Sequence, residues 1–200
     1  MTALQIATTT PDGIGGYLIT SNDGWAQSIA LNYAPSARTA TGPLSFCLEF
    51  NEHFDYDFDY HFGLSSAAVH GGEANSDPIS VGTGYIFSLF ARGGLVGTPA
   101  IIQRTIWYLE DERDADGPIQ NPGVYDALLT TKFGSVAAAK GDFVAGESAA
   151  TFGVQVINLG ESPNYAGQDQ LVYGAPESAT WIAAVVVFLL VGIGTWRNSK

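Results

Sequence analysis

Two residues of this chain have side chains that could react with each other. Cys47 is the only cysteine and lies in the stretch FCLEF, residues 46–50, among aromatic and acidic neighbours. One sulfur excludes an intramolecular disulfide, and three scattered histidines do not complete a cysteine-based zinc site. The thiol is therefore either inert or chemically special. Its candidate partner is Gln103 in IIQRTIW, four residues before Trp107 and so on the same helix face. If that face packs on the strand carrying Cys47, a carboxamide stands beside the thiol. A thiolate is the nucleophilic form, and a fixed neighbour turns an improbable attack on an amide into an intramolecular one. Loss of ammonia would leave an internal thioester. Spacing alone keeps a second reading open, because a lone cysteine usually packs as a small hydrophobe. Gln103 could equally be a structural amide bonded to a strand edge, and Trp107 is a core residue on either reading.

Other clusters carry weaker chemistry. Asp55, Asp57 and Asp59 alternate with aromatics in FDYDFDYHF and are weak candidates for a Ca²⁺ site. Strand spacing spreads carboxylates along one face, which favours a solvated face over metal binding. His53, six residues after Cys47, could act as a base, but no Asp or Asn orienter is evident for a Cys-His hydrolase. Glu49 and Glu52 read as surface residues. Glu110, Asp111, Glu112 and Asp114 fall where a helix should end, a placement the macrodipole disfavours, and are expected in a solvated loop. GDFVAGESA lacks phosphate-loop spacing, no glycine-rich stretch opens a nucleotide-binding helix, and no cofactor is implied.

The elements that would position Cys47 and Gln103 follow from periodicity. Residues 14–32 alternate around the turn signal SNDG and predict an early β-hairpin, and LSFCLEF predicts a short strand. FDYDFDYHF, 54–62, predicts a strand with aromatics on one face and acids on the other. VGTGYIFSLFARGG (81–94) and TPAIIQRTIWYLEDE (98–112) read as helices, the second with Thr98 as cap and Pro99 at its first position. A third helix is expected from Asn121-Pro122 through VYDALLTTKFGSVAAAK. TFGVQVINL (151–159) and QDQLVYG (168–174) predict a final strand pair. The order of strands, helices and strands gives an α+β class. We expect a β-sandwich or barrel-like domain over 1–174 with a helical insertion at about 81–140.

Composition narrows the setting. In 200 residues, twenty acids against eight bases give a net charge of −12, which repels nucleic acid and anionic headgroups. WIAAVVVFLLVGIGTW, 181–196, carries no charge and is closed by Arg197 and Lys200. It reads as a C-terminal transmembrane helix over about 179–196 with its basic end in the cytoplasm. The opening MTALQIATTTPDGIGG has neither a basic region nor an apolar one, so no signal peptide is visible. A leader is expected upstream of this start or already removed.

Two resemblances extend this reading. APESATW, from Ala175, followed by the apolar run and Arg197, resembles the PEP-CTERM sorting signal of exported bacterial proteins. Pro176 and Glu177 match it, and Ser178 stands where the family usually has a second proline. The resemblance implies recognition of residues 175–200 by an exosortase-type enzyme and a temporary inner-membrane anchor, with release to the cell surface or exopolysaccharide matrix. Separately, FCLE with QRTIW resembles the signature of Cys–Gln thioester-forming domains of bacterial adhesins, from about Phe46 to Val172. Phe46, Cys47, Gln103, Ile106 and Trp107 fit; Ile102 and Thr105 replace the usual Thr and Ala. That resemblance implies a surface protein, not an enzyme, whose Cys47–Gln103 thioester joins it covalently to an amine or hydroxyl on a partner protein or polysaccharide. The alternative is a non-covalent structural or adhesive matrix component with an inert buried cysteine.

Overall fold

The structure is a computed structural model that describes residues 3–9, 15–56, 58–69, 77–160 and 167–174. It is mixed α+β, with ten strands and five α-helices among the described residues. The strands are β1 (Leu4–Ala7), β2 (Tyr17–Ser21), β3 (Leu44–Ser45), β4 (Phe62–Ser65), β5 (Ala67–Ala68), β6 (Asp77–Pro78), β7 (Arg113–Asp114), β8 (Gly117–Pro118), β9 (Val154–Leu159) and β10 (Gly167–Tyr173). The helices are α1 (Trp25–Ala30), α2 (Val81–Ala91), α3 (Pro99–Leu109), α4 (Asp126–Phe133) and α5 (Val136–Ala139).

Two antiparallel three-stranded sheets, ordered β1-β2-β3 and β10-β9-β4, carry most of the pairing; β5 pairs β6 and β7 pairs β8. None of these ladders closes on itself among the described residues. Single bridges join the two larger sheets at Leu4–Tyr60 and at Cys47–Gln170. The stretch after β3 thus runs beside β10, with Leu171 N donating to Phe46 O at 3.0 Å and Leu48 N to Asp169 O at 3.1 Å. Successive residues of an extended chain face opposite ways. Phe46 therefore packs on the helical side with Phe87, Ile102 and Ile106, and Cys47 on the other with Leu4, Ile19 and Ile157.

The expected middle helices form, and their caps explain where. Ser80 accepts from Thr83 N to start α2, and Thr98 accepts from Ile101 N to start α3 with Pro99 in its first turn. The final strand pair also forms, as β9 and β10. Three expectations are corrected. SNDG turns into α1, not a second hairpin strand, because Ser21 Oγ and Asp23 Oδ1 take the N–H groups of Ala26 and Trp25 at 2.9 and 3.0 Å. Residues 54–61 form no ladder beyond the Tyr60 bridge among those described; Tyr60 Oη takes the Asp55 N–H, and Tyr56 and Phe58 are largely exposed. The third helix begins at Asp126, after an Asn121 turn that accepts from Gly123 N, and it is cut from α5 at Gly134 with φ 86°. Among the described residues no helix is long and apolar enough to cross a membrane; the expected helix at about 179–196, with Pro176, Glu177 and Arg197, lies outside them.

Helix α2 is buried nearly all round, and small residues permit its approach to the chain at Ala149. A Cβ at Gly84 would stand 2.6 Å from Ala149 Cα, a backbone atom that cannot swing away. Gly84→Ala should therefore lower the unfolding free energy by about 1–3 kcal/mol, although Ala intrinsically favours helix by about 1 kcal/mol. Urea unfolding checks this, and a stabilised variant would refute the packing assignment.

Candidate functional site

Cys47 and Gln103, far apart in sequence, meet in the core with no exposed surface. The bridge to Gln170 leaves the Cys47 N–H and C=O pointing away from β10, so both need partners elsewhere. The Gln103 carboxamide supplies both: Cys47 N donates to Gln103 Oε1 at 2.9 Å, and Gln103 Nε2 donates to Cys47 O at 2.8 Å. The helix presents Gln103 because Ile102, Gln103, Thr105, Ile106, Trp107 and Leu109 form its buried side. Trp107 closes one end of that side, edge-on to Phe50 with ring centroids 4.9 Å apart. Phe46 meets Phe90 edge-on at 4.9 Å, and Ile106 is fully buried beside it. Thr105 bonds its hydroxyl to Ile101 O at 2.9 Å, which satisfies it inside a buried helix face.

The sulfur lies among polar groups that sequence spacing did not single out. Gln170 Nε2 donates to Sγ at 3.1 Å, and the Tyr17 side chain shares the same buried cluster, its hydroxyl favouring the charged form of the sulfur. Burial pushes the Cys47 thiol well above its ordinary value, the two donors act against that, and the nearby Glu49 adds to it. Burial likewise raises the Tyr17 phenol. Gln170 faces Cys47 because β10 carries one extra residue between Gly167 and Gln170 relative to β9. Asp169 fills that irregularity, accepting from Leu159 N at 3.0 Å, Asn158 Nδ2 at 2.8 Å and Val69 N at 2.9 Å. Gly15, with φ 71°, lies against α3 and Phe46: a Cβ there would be 3.0 Å from Gln103 Cβ, 2.9 Å from Phe46 Cε1 and 2.8 Å from Pro99 O. The only legible signal for this group was the position of Gln170 in the last strand; Tyr17, Gly15 and Asp169 act through pairings invisible in local sequence.

The acids are placed differently from expectation. Glu49 is buried, not a surface residue, and neither carboxylate oxygen has a hydrogen-bond partner. Burial first, and repulsion from Asp169 and Glu52 next, raise its carboxyl to about 9. Glu110 is not in a solvated loop: it accepts from Ser80 N at 3.2 Å and Ser80 Oγ at 2.7 Å, and burial raises it to about 7. Glu112 accepts from Phe50 N at 2.9 Å, and Asp111 pairs with Lys140. His53 is exposed and holds Gln168 N through its backbone oxygen. Asp55 and Asp59 are exposed, Asp59 accepting from Gln5 at 2.8 Å, and Asp57 lies outside the described residues. Among the described residues no group of three or more His, Cys, Asp or Glu could hold a metal ion.

No family model matches the chain, and no curated protein or solved structure is similar to it.

The Glu49 carboxyl gives the site a pH signature. Its folded value lies above its ordinary 4.5, so between about 4.5 and about 9 the native state binds more protons than the unfolded chain, and stability falls as pH rises. Glu49→Gln keeps the shape without the titration. It should remove part of the loss between pH 7 and pH 9, with a slope change of at most about 1.4 kcal/mol per pH unit. Urea unfolding at both pH values checks this; an equal change in stability at both would contradict it.

Proposed function

We propose that this chain is an exported bacterial surface or matrix protein that stores an electrophile as a Cys47–Gln103 thioester. The observation that carries the reading is the meeting of the lone thiol residue with a buried carboxamide, held by two hydrogen bonds of 2.9 and 2.8 Å. Bond formation joins Cys47 Sγ to Gln103 Cδ, breaks the Cδ–Nε2 bond and releases ammonia, which carries away the thiol proton. The Cys47 N–H already donates to Gln103 Oε1, where negative charge develops as the sulfur attacks. Full burial of both residues keeps water from the product. An amine or hydroxyl of a surface protein or polysaccharide then attacks Cδ, the C–S bond breaks, and the nucleophile's proton ends on the Cys47 sulfur. One turnover leaves a covalent cross-link, so the chain is an anchor and not an enzyme.

The finer architecture belongs to this reading. On this reading the domain is barrel-like with a helical insertion, which is supported by the single bridges Leu4–Tyr60 and Cys47–Gln170 between the open sheets β1-β2-β3 and β10-β9-β4. The tail at 175–200 supplies a PEP-CTERM-like signal and a membrane helix at about 179–196, processed by an exosortase-type enzyme and giving an inner-membrane anchor before release to the surface or matrix.

One observation favours a second reading. The bonds from Gln103 satisfy a strand edge, as a purely structural amide would, and the sulfur contacts Gln170 and Tyr17. On that reading the chain is a non-covalent structural or adhesive component of the matrix with an inert cysteine. Incubation with a fluorescent primary amine separates the two. The thioester reading predicts one label, mapped to Gln103 and absent from Cys47→Ala and Gln103→Ala. No label on the folded wild-type protein, with a thiol reactive only after denaturation, would establish the structural reading instead.

A further inference from the structure

The acids that follow α3 stand where a helix is least suited to hold them. The C-terminal end of a helix carries partial negative charge, yet α3 ends at Leu109 and is followed directly by Glu110, Asp111 and Glu112. Glu110 and Glu112 form one wall of a narrow cleft. Its other walls are Leu48 and Glu49, from the stretch after β3, with Ala68 of β5 and Asp77 of β6. No lining residue is basic. The two ion pairs among the described residues, Lys132–Glu147 and Lys140–Asp111, involve none of these four carboxyls. Glu110 accepts from Ser80, and Glu112 accepts from Phe50 N. Glu49 differs from both: it is only 4 % exposed, and neither of its carboxyl oxygens has a hydrogen-bond partner. Folded proteins normally supply a donor to a group buried in this way, because leaving it without one is costly.

We propose that this cleft binds a primary alkylammonium, the end of a lysine side chain or of a free diamine, with Glu49 at its floor and the half-buried Asp77 and Glu112 at its mouth. The site stands independently of the thioester reading. An ammonium brings a positive charge and three N–H donors, which the Glu49 carboxyl and the two mouth acids lack. Leu48 and Ala68 offer its methylene stem an apolar wall. A metal ion suits the cleft less well: Ca²⁺ takes about six to eight oxygens within about 2.6 Å, and these carboxyls are not gathered closely enough to hold one. Binding draws the carboxyls into their charged form. Burial, then repulsion from Asp169, Glu52 and Glu112, favours the protonated Glu49; burial and Asp77 act in the same sense on Glu110, and burial, Asp142 and Asp111 on Asp77. A seated cation opposes that repulsion and releases the Glu49 proton, so affinity rises with pH until the carboxyl ionises unaided.

Isothermal titration calorimetry on the full chain tests this from about pH 6 to about pH 9, where an alkylammonium stays charged. The probes are acetyl-lysine methylamide, diaminopentane, tetramethylammonium and Ca²⁺, each at constant ionic strength. The same titrations on Cys47→Ala, which cannot form a thioester, separate reversible binding from covalent capture. Both primary ammonium probes should bind, and more tightly at the upper end, by at most about tenfold per pH unit for each proton released. Tetramethylammonium, which has the charge but no N–H, should not bind. Similar affinities for the two amines would assign the site to a lysine side chain, and a diamine at least about tenfold tighter would assign it to a free diamine. Glu49→Gln should weaken binding about tenfold and flatten its pH dependence. If that variant does not fold, Asp77→Asn at the half-buried mouth should weaken binding about threefold. Failure of both amines to bind at any pH, equal binding of tetramethylammonium, or wild-type affinity in the folded variants would each overturn the proposal. Ca²⁺ binding more tightly than either amine would overturn it in favour of a metal site.

Discussion

The pairing of one buried carboxamide with the backbone of one residue ties the two halves of this structure together. Cys47 sits where the stretch after β3 passes β10, and its outward N–H and C=O face the helical layer. A buried backbone donor or acceptor without a partner costs about 1–3 kcal/mol. Gln103 removes that cost for both groups, which fixes the height and rotation of α3 against the strands. Thr98, Pro99 and the Phe50–Trp107 contact then hold the ends of a helix whose central residue is already registered.

That registration decides how the two apolar clusters divide. Phe46 and Cys47 are neighbours in sequence, yet one belongs to the helix-facing cluster and the other to the strand-facing cluster. The sulfur is thereby committed to the side holding Tyr17 and Gln170, and the Cys47 backbone to the side holding Gln103. A thioester between Cys47 and Gln103 would join these two sides through a single bond. Its carbonyl would be shielded from bulk water, and an attacking group would reach it only as covering side chains move. Tyr17 meets Phe54 edge-on at 5.1 Å and Phe54 meets Tyr56 at 5.3 Å, so an aromatic series connects the buried sulfur with a half-exposed residue.

Local pattern carried the two middle helices and the last strand pair; the pairing of Cys47 with Gln103 was expected from the resemblance, and the structure places the Gln103 carboxamide on the Cys47 backbone. Thr98-Pro99 is a cap signal independent of tertiary context, and four-residue spacing puts Gln103 and Trp107 on one face of any helix that forms there. It misled where side chains capture backbone groups. Ser21 and Asp23 convert a hairpin turn into the start of α1, and Tyr60 takes the Asp55 N–H that a strand would have paired. Glu49 and Glu110 look like surface acids by composition, because only the fold reveals that Glu49 is buried and that Glu110 is half-buried and bonded to Ser80. The arrangement at sulfur was illegible for a different reason: Asp169 creates it through a one-residue irregularity between β9 and β10, which no period-two pattern announces.

The central claim is that the Cys47 thiol and the Gln103 carboxamide become one covalent group. The intact mass of freshly purified full-length protein tests it most directly, set beside Cys47→Ala with each corrected for its own sequence. The account predicts that the wild type is lighter by one ammonia and that Cys47→Ala is not, with the deficit replaced by one methylamine adduct and one free thiol after treatment. Full sequence mass in both proteins, with a single thiol counted in the denatured wild type before any treatment, would contradict it.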